Sequence, residues 1–181
     1  LISRLNDAIH NNDFLEGLKH IEAWNSLDMI SFDISDSSLK TALPVLEFGV
    51  QLTNFQKLLQ DSVQVSFHES NSEDFMAMIS IFPKVKLSSV GLQIFCDFYK
   101  KQLAQKFEIC ISKKDGNFIF QLANIFYETT HIFMENLEYL RINFGISAAR
   151  EFLLGLQTQS SFFASKVLNS VMSSQEFVEL L

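Results

Sequence analysis

The most constraining feature of this sequence is the spacing of its apolar residues, which recur every three to four positions along most of the chain. Such a period places apolar side chains on one face of an α-helix, whereas a half-buried strand alternates at every second residue. Sustained alternation does not occur in the sequence. One clear example of the helical spacing is the run Leu92, Phe95, Cys96, Tyr99 and Leu103. Two further helices are predicted from longer apolar stripes: Leu39, Leu43, Leu46, Val50, Phe55, Leu58, Leu59 and Val63, and then Phe118, Leu122, Ile125, Phe126, Ile132, Phe133, Leu137 and Leu140. We therefore predict an all-α fold.

Composition favours long helices joined by few tight turns. The 181 residues include only 6 Gly and 2 Pro, whereas average usage is roughly 7% and 5%. The apolar pattern predicts about six to eight helices, several of them longer than the average of about 11–12 residues. Long helices with short connections are typical of an elongated antiparallel bundle, or helical rod. The 19 Phe residues indicate a wide core between helices, and apolar surface left for a partner.

Polar stretches and prolines mark the predicted helix ends. Asn11–Asp13 is a predicted break, and the polar stretches Asn25–Ser38 and Lys113–Asn117 are predicted loops. A helix is expected to stop at Phe82–Pro83, because the residue before proline avoids the α region. A further polar break, His68–Ser72, separates about 70 N-terminal residues from the rest. We expect residues 1–70 to be the first helices of a fragment of a larger protein, and residues 71–181 to continue the same rod.

Helix caps are predicted in the C-terminal part of the chain. Gly145 is expected to end one long helix, and Ser147 to cap the next. The pair Ser173 and Glu176 has the spacing of a capping box, which predicts a last short helix through Leu181.

Charge and cysteine content exclude several classes of partner. A net charge of −7 argues against nucleic acid, since phosphate binding needs clustered Lys and Arg. It also argues against docking on an anionic membrane by charge alone. No apolar run approaches the roughly 18 residues of a transmembrane helix. Cys96 and Cys110 lie about 21 Å apart along one predicted helix, which is too far for a disulfide, so both are expected to be free thiols.

Motifs of catalysis, metal binding and cofactor binding are not found in the sequence. The four His residues form no pair with metal-ligand spacing, and no Cys-x-x-Cys pair, Gly-rich phosphate loop or nucleophile elbow occurs. We expect Glu135 and Glu138 to form a solvated acidic face, and His131 to be structural. We therefore predict no enzyme activity, metal or cofactor. An enzyme or small-molecule carrier remains an alternative that a deep polar pocket would support.

Several aromatic residues are candidates for burial by a partner or by a missing part of the chain. Phe118 and Phe120, and likewise Phe162 and Phe163, project from different sides of their helices. We predict that these four residues bind a partner. Trp24 is interpreted as a core anchor, with an interface anchor as the alternative.

One segment resembles a known family. Ile81-Phe82-Pro83 is followed downstream by Gly91-Leu92, and this arrangement resembles a segment of the subunit 4 family of the conserved oligomeric Golgi complex. The resemblance covers roughly residues 70–170. The family has Tyr-Gly where this chain has Phe144-Gly145, which is a departure from its pattern. Further similar positions are Phe95, Phe98, Tyr99, Lys101, Gln102, Ile125, Phe126, Tyr127, Glu128, Ile132, Glu135, Leu153, Leu156 and Gln157.

The resemblance implies a non-enzymatic subunit of a tethering complex of the CATCHR type, with helical-rod architecture. Members of the family capture vesicles in retrograde intra-Golgi transport and lie peripherally on the cytoplasmic face of the Golgi membrane. The implied partners are the other subunits of the complex, a syntaxin-type SNARE and a Sec1/Munc18-type protein. A rod subunit of the exocyst, Dsl1 or GARP type, or an unrelated α-helical scaffold, is the alternative.

Overall fold

The computed structural model describes residues 1–31, 39–69, 72–112 and 117–173, and these ranges form α-helices and no strand. The all-α prediction is therefore confirmed. The predicted loop residues 32–38 and 113–116 and the predicted last helix, from residue 174 onward, lie outside the described residues. In chain order the elements are α1 (Ile2–His10), α2 (Phe14–Ser31), α3 (Leu39–Glu69), α4 (Ser72–Ile79), a 3-10 turn (Phe82–Val85), α5 (Ser88–Ser112), α6 (Phe118–Asn143) and α7 (Ile146–Met172).

The chain divides into two compact units, unit 1 from Leu1 to Gly91 and unit 2 from Leu92 to Leu181. Each unit has its own buried apolar residues. The predicted division at residue 70 and the elongated rod stay predictions.

In unit 1, α2 runs antiparallel to α3. Phe14 meets the edge of Phe55, with ring centroids 5.8 Å apart, and Trp24 stacks on Phe48 at 4.4 Å. Because the partner numbers fall along α3 as they rise along α2, the two helices point in opposite directions. The stacked contact with the buried Phe48 supports the core interpretation of Trp24.

The turn between α1 and α2 is held by its own hydrogen bonds. Asn12 adopts a φ of 55°, a left-handed conformation that Asn tolerates better than most residues. The Asp13 backbone N–H donates to the Ala8 carbonyl at 2.9 Å. The Asp13 carboxylate accepts a bond from the Glu16 N–H at 3.0 Å, which is the geometry of an N-cap. The predicted break at Asn11–Asp13 is confirmed.

Unit 2 contains an antiparallel three-helix bundle of α5, α6 and α7. Phe95 on α5 stacks on Tyr139, whereas Lys106, further along α5, contacts Glu128, so α6 runs antiparallel to α5. A connection of only two residues, Phe144 and Gly145, then returns the chain into α7. Gly145 has a φ of 87°, which favours glycine. The residues of this core are Leu92, Phe95, Cys96, Phe98, Leu103, Phe107, Ile125, Ile132, Leu140, Ala148, Ala149, Phe152, Leu156, Phe163, Ala164 and Val167.

A polar pair lies in the interface between α6 and α7. The buried hydroxyls of Thr129 and Ser160 lie 2.5 Å apart, and each also lies within 2.8 Å of a carbonyl oxygen of its own helix. The side chain of Asn136 donates to the Ile132 carbonyl at 2.8 Å. Every buried side-chain polar atom in the described part of the chain has a hydrogen-bond partner, as expected for a well-packed interior.

Three of the predicted helix boundaries were wrong. Helix α4 ends at Ile79, whereas the predicted stop at Phe82–Pro83 falls in the 3-10 turn that follows. Helix α2 continues through Asn25 to Ser31, where the sequence predicted a loop. The Ser26 hydroxyl donates to the Glu22 carbonyl, so this polar residue is accommodated within the helix. Ser147 does not cap α7, because that helix begins at Ile146 with Gly145 in the capping position and no side-chain cap.

Candidate functional site

Helix α6 has two apolar faces. Its inner face is buried against the rest of unit 2, with Ile125, Ile132 and Leu140 at most 3% exposed. Six large apolar side chains of α6 are 57–69% exposed, of which Ile142 lies in the last turn and five lie further toward the start of the helix. We call these five residues the outer α6 face: Ile119, Phe120, Phe126, Tyr127 and Met134.

The spacing of the outer α6 face places its residues in one stripe along the helix. Phe120, Tyr127 and Met134 are seven residues apart, and Ile119 and Phe126 repeat the same interval beside them. Such a period keeps side chains on one seam for a neighbouring helix to contact. A helix at the surface of a globular protein is normally polar on the side away from its core. The outer α6 face therefore has the pattern of a helix that packs on two sides.

A groove between α5 and the first turns of α6 extends this surface. It has a volume of about 480 Å³. Ile109 and Phe120, 64% and 69% exposed, both line it. Within it, the Cys110 sulfur accepts a hydrogen bond from the Asn124 amide at 3.7 Å. The groove offers space for an apolar side chain of a partner beside the outer α6 face.

The charged residues along α6 are paired with near neighbours. Lys106 contacts Glu128 at 2.6 Å, and this pair also lines the groove. The Arg141 guanidinium donates two hydrogen bonds to Glu138, at 2.7 and 2.9 Å, and this contact lowers the pKa of the Glu138 carboxyl. Glu138 is solvent-exposed, as predicted for the acidic face.

His131 is half-exposed. Its Nδ1 lies 3.1 Å from the Glu135 carboxylate, and Glu135 is itself exposed. The prediction of a hydrogen-bonded or half-exposed histidine is confirmed, and so is the solvated position of Glu135.

The four predicted partner-binding residues fall into different environments. Phe120 belongs to the outer α6 face, and Phe118, at the first position of α6, is 41% exposed. Phe162 on α7 is 54% exposed, with the Lys166 ammonium 4.6 Å above its ring centre. Phe163 lies in the core instead, with its ring edge-on to Phe107 at 5.3 Å. We therefore drop Phe163 from the proposed surface and keep the other three.

The sequence interpretation missed most of the outer α6 face. Ile119, Tyr127 and Met134 were not among the predicted site residues, and Phe126 was assigned to the core stripe. The sequence feature that could have indicated this face is the seven-residue repeat from Phe120 to Met134, which lies beside the core stripe.

The most strongly perturbed pKa values of unit 2 belong to buried groups. Burial raises the pKa of the Cys96 thiol to about 11, so this thiol is protonated at neutral pH and is a poor nucleophile. Burial likewise raises the pKa values of Tyr99 and Tyr139. Packing in the core accounts for all three shifts. Among the described residues, no group of three or more His, Cys, Asp or Glu side chains could hold a metal ion.

None of the helices in the described ranges combines the length and hydropathy needed to cross a membrane. This finding agrees with the lack of a long apolar run in the sequence.

Comparison with known proteins gives one distant relation. No protein-family model matches the sequence, and no solved structure matches it. The chain is similar to the conserved oligomeric Golgi complex subunit 4 of Caenorhabditis elegans, with 22% identity over 174 residues. The match covers 88% of this chain, more than the residues 70–170 that carry the resemblance, and 22% of the relative. The chain thus spans about a fifth of that protein's length and is distantly similar to a subunit of the conserved oligomeric Golgi complex.

Proposed function

We propose that this chain is a helical segment of a subunit of a Golgi vesicle-tethering complex and acts by binding other proteins. The distant similarity to a subunit of the conserved oligomeric Golgi complex supports the assignment to tethering. The observation that carries the binding mode is the outer α6 face, where five large apolar side chains are exposed along one helix. The all-α architecture is consistent with both the assignment to tethering and this binding mode.

The proposed mechanism is burial of the outer α6 face by a helix of a partner subunit. Transfer of apolar side chains from water stabilises such a contact by roughly 25 cal/mol per Å² of apolar surface, before the costs of association. The seven-residue spacing of Phe120, Tyr127 and Met134 suits a helix laid along α6. Aromatic residues are enriched among the anchors of protein interfaces.

The proposed setting is retrograde intra-Golgi transport, at the cytoplasmic face of the Golgi membrane. Association with the membrane would be peripheral and indirect, through partner subunits. A syntaxin-type SNARE and a Sec1/Munc18-type protein are proposed as further partners. In this role the segment needs no catalytic residue and no cofactor.

Co-expression with the other subunits of the Golgi complex from the same source tests this proposal. We expect at least one subunit to co-purify with the chain. The double variant Phe120→Glu/Tyr127→Glu places two charges on the outer α6 face and should reduce co-purification at least tenfold. The control variant Asn54→Glu/Gln64→Glu adds the same two charges at exposed polar positions of α3, in unit 1, and should behave as wild type.

The possible results separate the two parts of the proposal. Failure of every subunit to co-purify would count against the relation to the tethering complex. Co-purification that is unaffected by Phe120→Glu/Tyr127→Glu would refute the outer α6 face as the contact surface.

A further inference from the structure

A second surface that could bind a ligand lies in unit 1, whereas the residues that support the proposed function belong to unit 2. It is an open groove bordered by the turn between α1 and α2, by α3 and by α4. Its volume is about 650 Å³, which is within the range of roughly 300–1,000 Å³ typical of ligand pockets. We call it the unit 1 groove.

Apolar side chains on three different helices form much of the unit 1 groove. Leu15 on α2 is 65% exposed and Val65 on α3 is 54% exposed, and both line the groove. Phe14 and Met78 line it as well and are half-buried. The groove therefore offers exposed hydrocarbon that a ligand could cover.

The walls of the groove are fixed by contacts within unit 1. The ring of Phe14 packs against Phe55, which is 1% exposed and cannot move without disturbing the core. Backbone hydrogen bonds hold the turn that carries Asn12 and Asp13. A ligand would thus enter a site that is already formed, which lowers the entropic cost of binding.

The charge of the unit 1 groove is entirely negative. The carboxylates of Asp13 and Asp74 line it, and the remaining polar residues along it are uncharged Asn and Ser. Among the described residues no Lys, Arg or His lines the groove. The net charge of −7 for the whole chain adds to this local field. The complementary ligand carries both hydrocarbon and positive charge.

We propose that the unit 1 groove binds a basic amphipathic segment of a partner protein. An aliphatic side chain of that segment inserts between Leu15 and Val65. Lys or Arg side chains beside it contact Asp13 and Asp74. The apolar contact supplies affinity, and the charges select the partner and speed its association. This site lies in the other unit from the outer α6 face and does not depend on the proposed tethering function.

The test measures binding of a defined peptide by fluorescence polarisation, using the whole chain. The probe is a labelled amphipathic peptide of about 16 residues, long enough to form a helix, with leucine on one face and lysine on the other. The same peptide with glutamate in place of lysine is the charge control. We expect the lysine peptide to bind saturably at about 0.15 M salt, and the glutamate peptide to bind at least tenfold more weakly.

Two variants separate docking in the groove from general attraction to an acidic protein. Val65→Asp makes the groove more negative, so general attraction predicts tighter binding, whereas insertion beside Val65 predicts a loss of at least tenfold. Asp13→Asn/Asp74→Asn should weaken binding about fivefold, and Asn at position 13 can still cap α2. Glu47→Gln/Asp61→Asn removes the same two charges from α3 positions outside the groove and should change binding less than twofold.

Several results would overturn the proposal. Unchanged or tighter binding by Val65→Asp would do so, as would equal binding of the two peptides. Equal losses in Asp13→Asn/Asp74→Asn and in Glu47→Gln/Asp61→Asn would also contradict it. Circular dichroism verifies that each variant is folded. If Val65→Asp does not fold, Leu15→Ser, which removes the other exposed apolar side chain of the groove, is tested in its place. For Leu15→Ser we expect a loss of at least threefold, and binding equal to wild type would refute insertion.

Discussion

Replacing Gly17 by alanine tests how tightly α2 packs against α3. A Cβ atom at position 17 would lie 2.4 Å from Cε2 of Phe55 and 3.0 Å from Cδ2. These distances are well inside van der Waals contact, and the Phe55 ring is 1% exposed, so it has little room to retreat. The substitution Gly17→Ala should therefore force the two helices apart or distort the ring. Overpacking of this kind costs about 1–3 kcal/mol.

Gly49 provides a matched control on α3. A Cβ atom there would meet nothing within 4 Å, so Gly49→Ala gains only the helix propensity of alanine, about 0.5–1 kcal/mol. Gly17→Ala gains the same propensity but loses the packing energy, which leaves it about 0–2 kcal/mol less stable than wild type. The two variants should thus differ by about 1–3 kcal/mol in free energy of unfolding, with Gly49→Ala the more stable.

Urea denaturation followed by tryptophan fluorescence measures this difference. The single Trp of the chain, Trp24, stacks on Phe48 in the same unit as both glycines, so its emission reports the relevant unfolding step. Comparable m-values would show that the same surface is exposed in each protein. Equal stability of Gly17→Ala and Gly49→Ala, within about 0.5 kcal/mol, would refute the close approach of α2 to Phe55.

Further predictions concern unit 2. Phe107→Ala should lower the free energy of unfolding by about 3–5 kcal/mol because Phe107 is buried. Phe120→Ala, at an exposed position, should keep the free energy of unfolding within about 0.5 kcal/mol of wild type. Urea denaturation followed by circular dichroism compares the two variants. Cys110 should react with a thiol reagent in the folded protein, and Cys96 only after denaturation, because Cys96 is buried with a pKa of about 11. The pKa of Glu138 is lowered from 4.5 by Arg141, so the stabilisation from this pair is present above pH 4.5 and is lost as the pH falls through the lowered value. The melting-temperature difference between wild type and Glu138→Gln should therefore be small at pH 7, decrease as the pH falls below 4.5, and vanish in about 1 M salt.

Helical periodicity predicted the type and number of elements better than it predicted which face of each helix is buried. On α3 the predicted stripe included Leu46 and Val50, but both are more than half exposed, while Phe48 is buried. Apolar residues on more than one side of a long helix allow several stripes, and only the neighbouring helices decide which one is inside. The helix stop predicted at Phe82–Pro83 was also misplaced, because α4 ends at Ile79 and Phe82 and Pro83 begin the 3-10 turn.

The candidate site could be predicted only in part. Phe162 and Phe163 differ by about 100° around α7, so one of them had to face the core, and the sequence could not decide which. The contact between Phe163 and Phe107 decides it in the structure. The Phe126 ring fits the spacing of both faces of α6, and its assignment to the core was wrong for the same reason.

The two-residue connection between α6 and α7 has a consequence for how unit 2 acquires its structure. Closing so short a loop costs little chain entropy, and contacts near in sequence generally form faster than distant ones. The pairing of these two helices brings Thr129 and Ser160 together across the turn at Gly145. We therefore expect this hairpin to form early in refolding, with α5 docking onto it in a later and slower step.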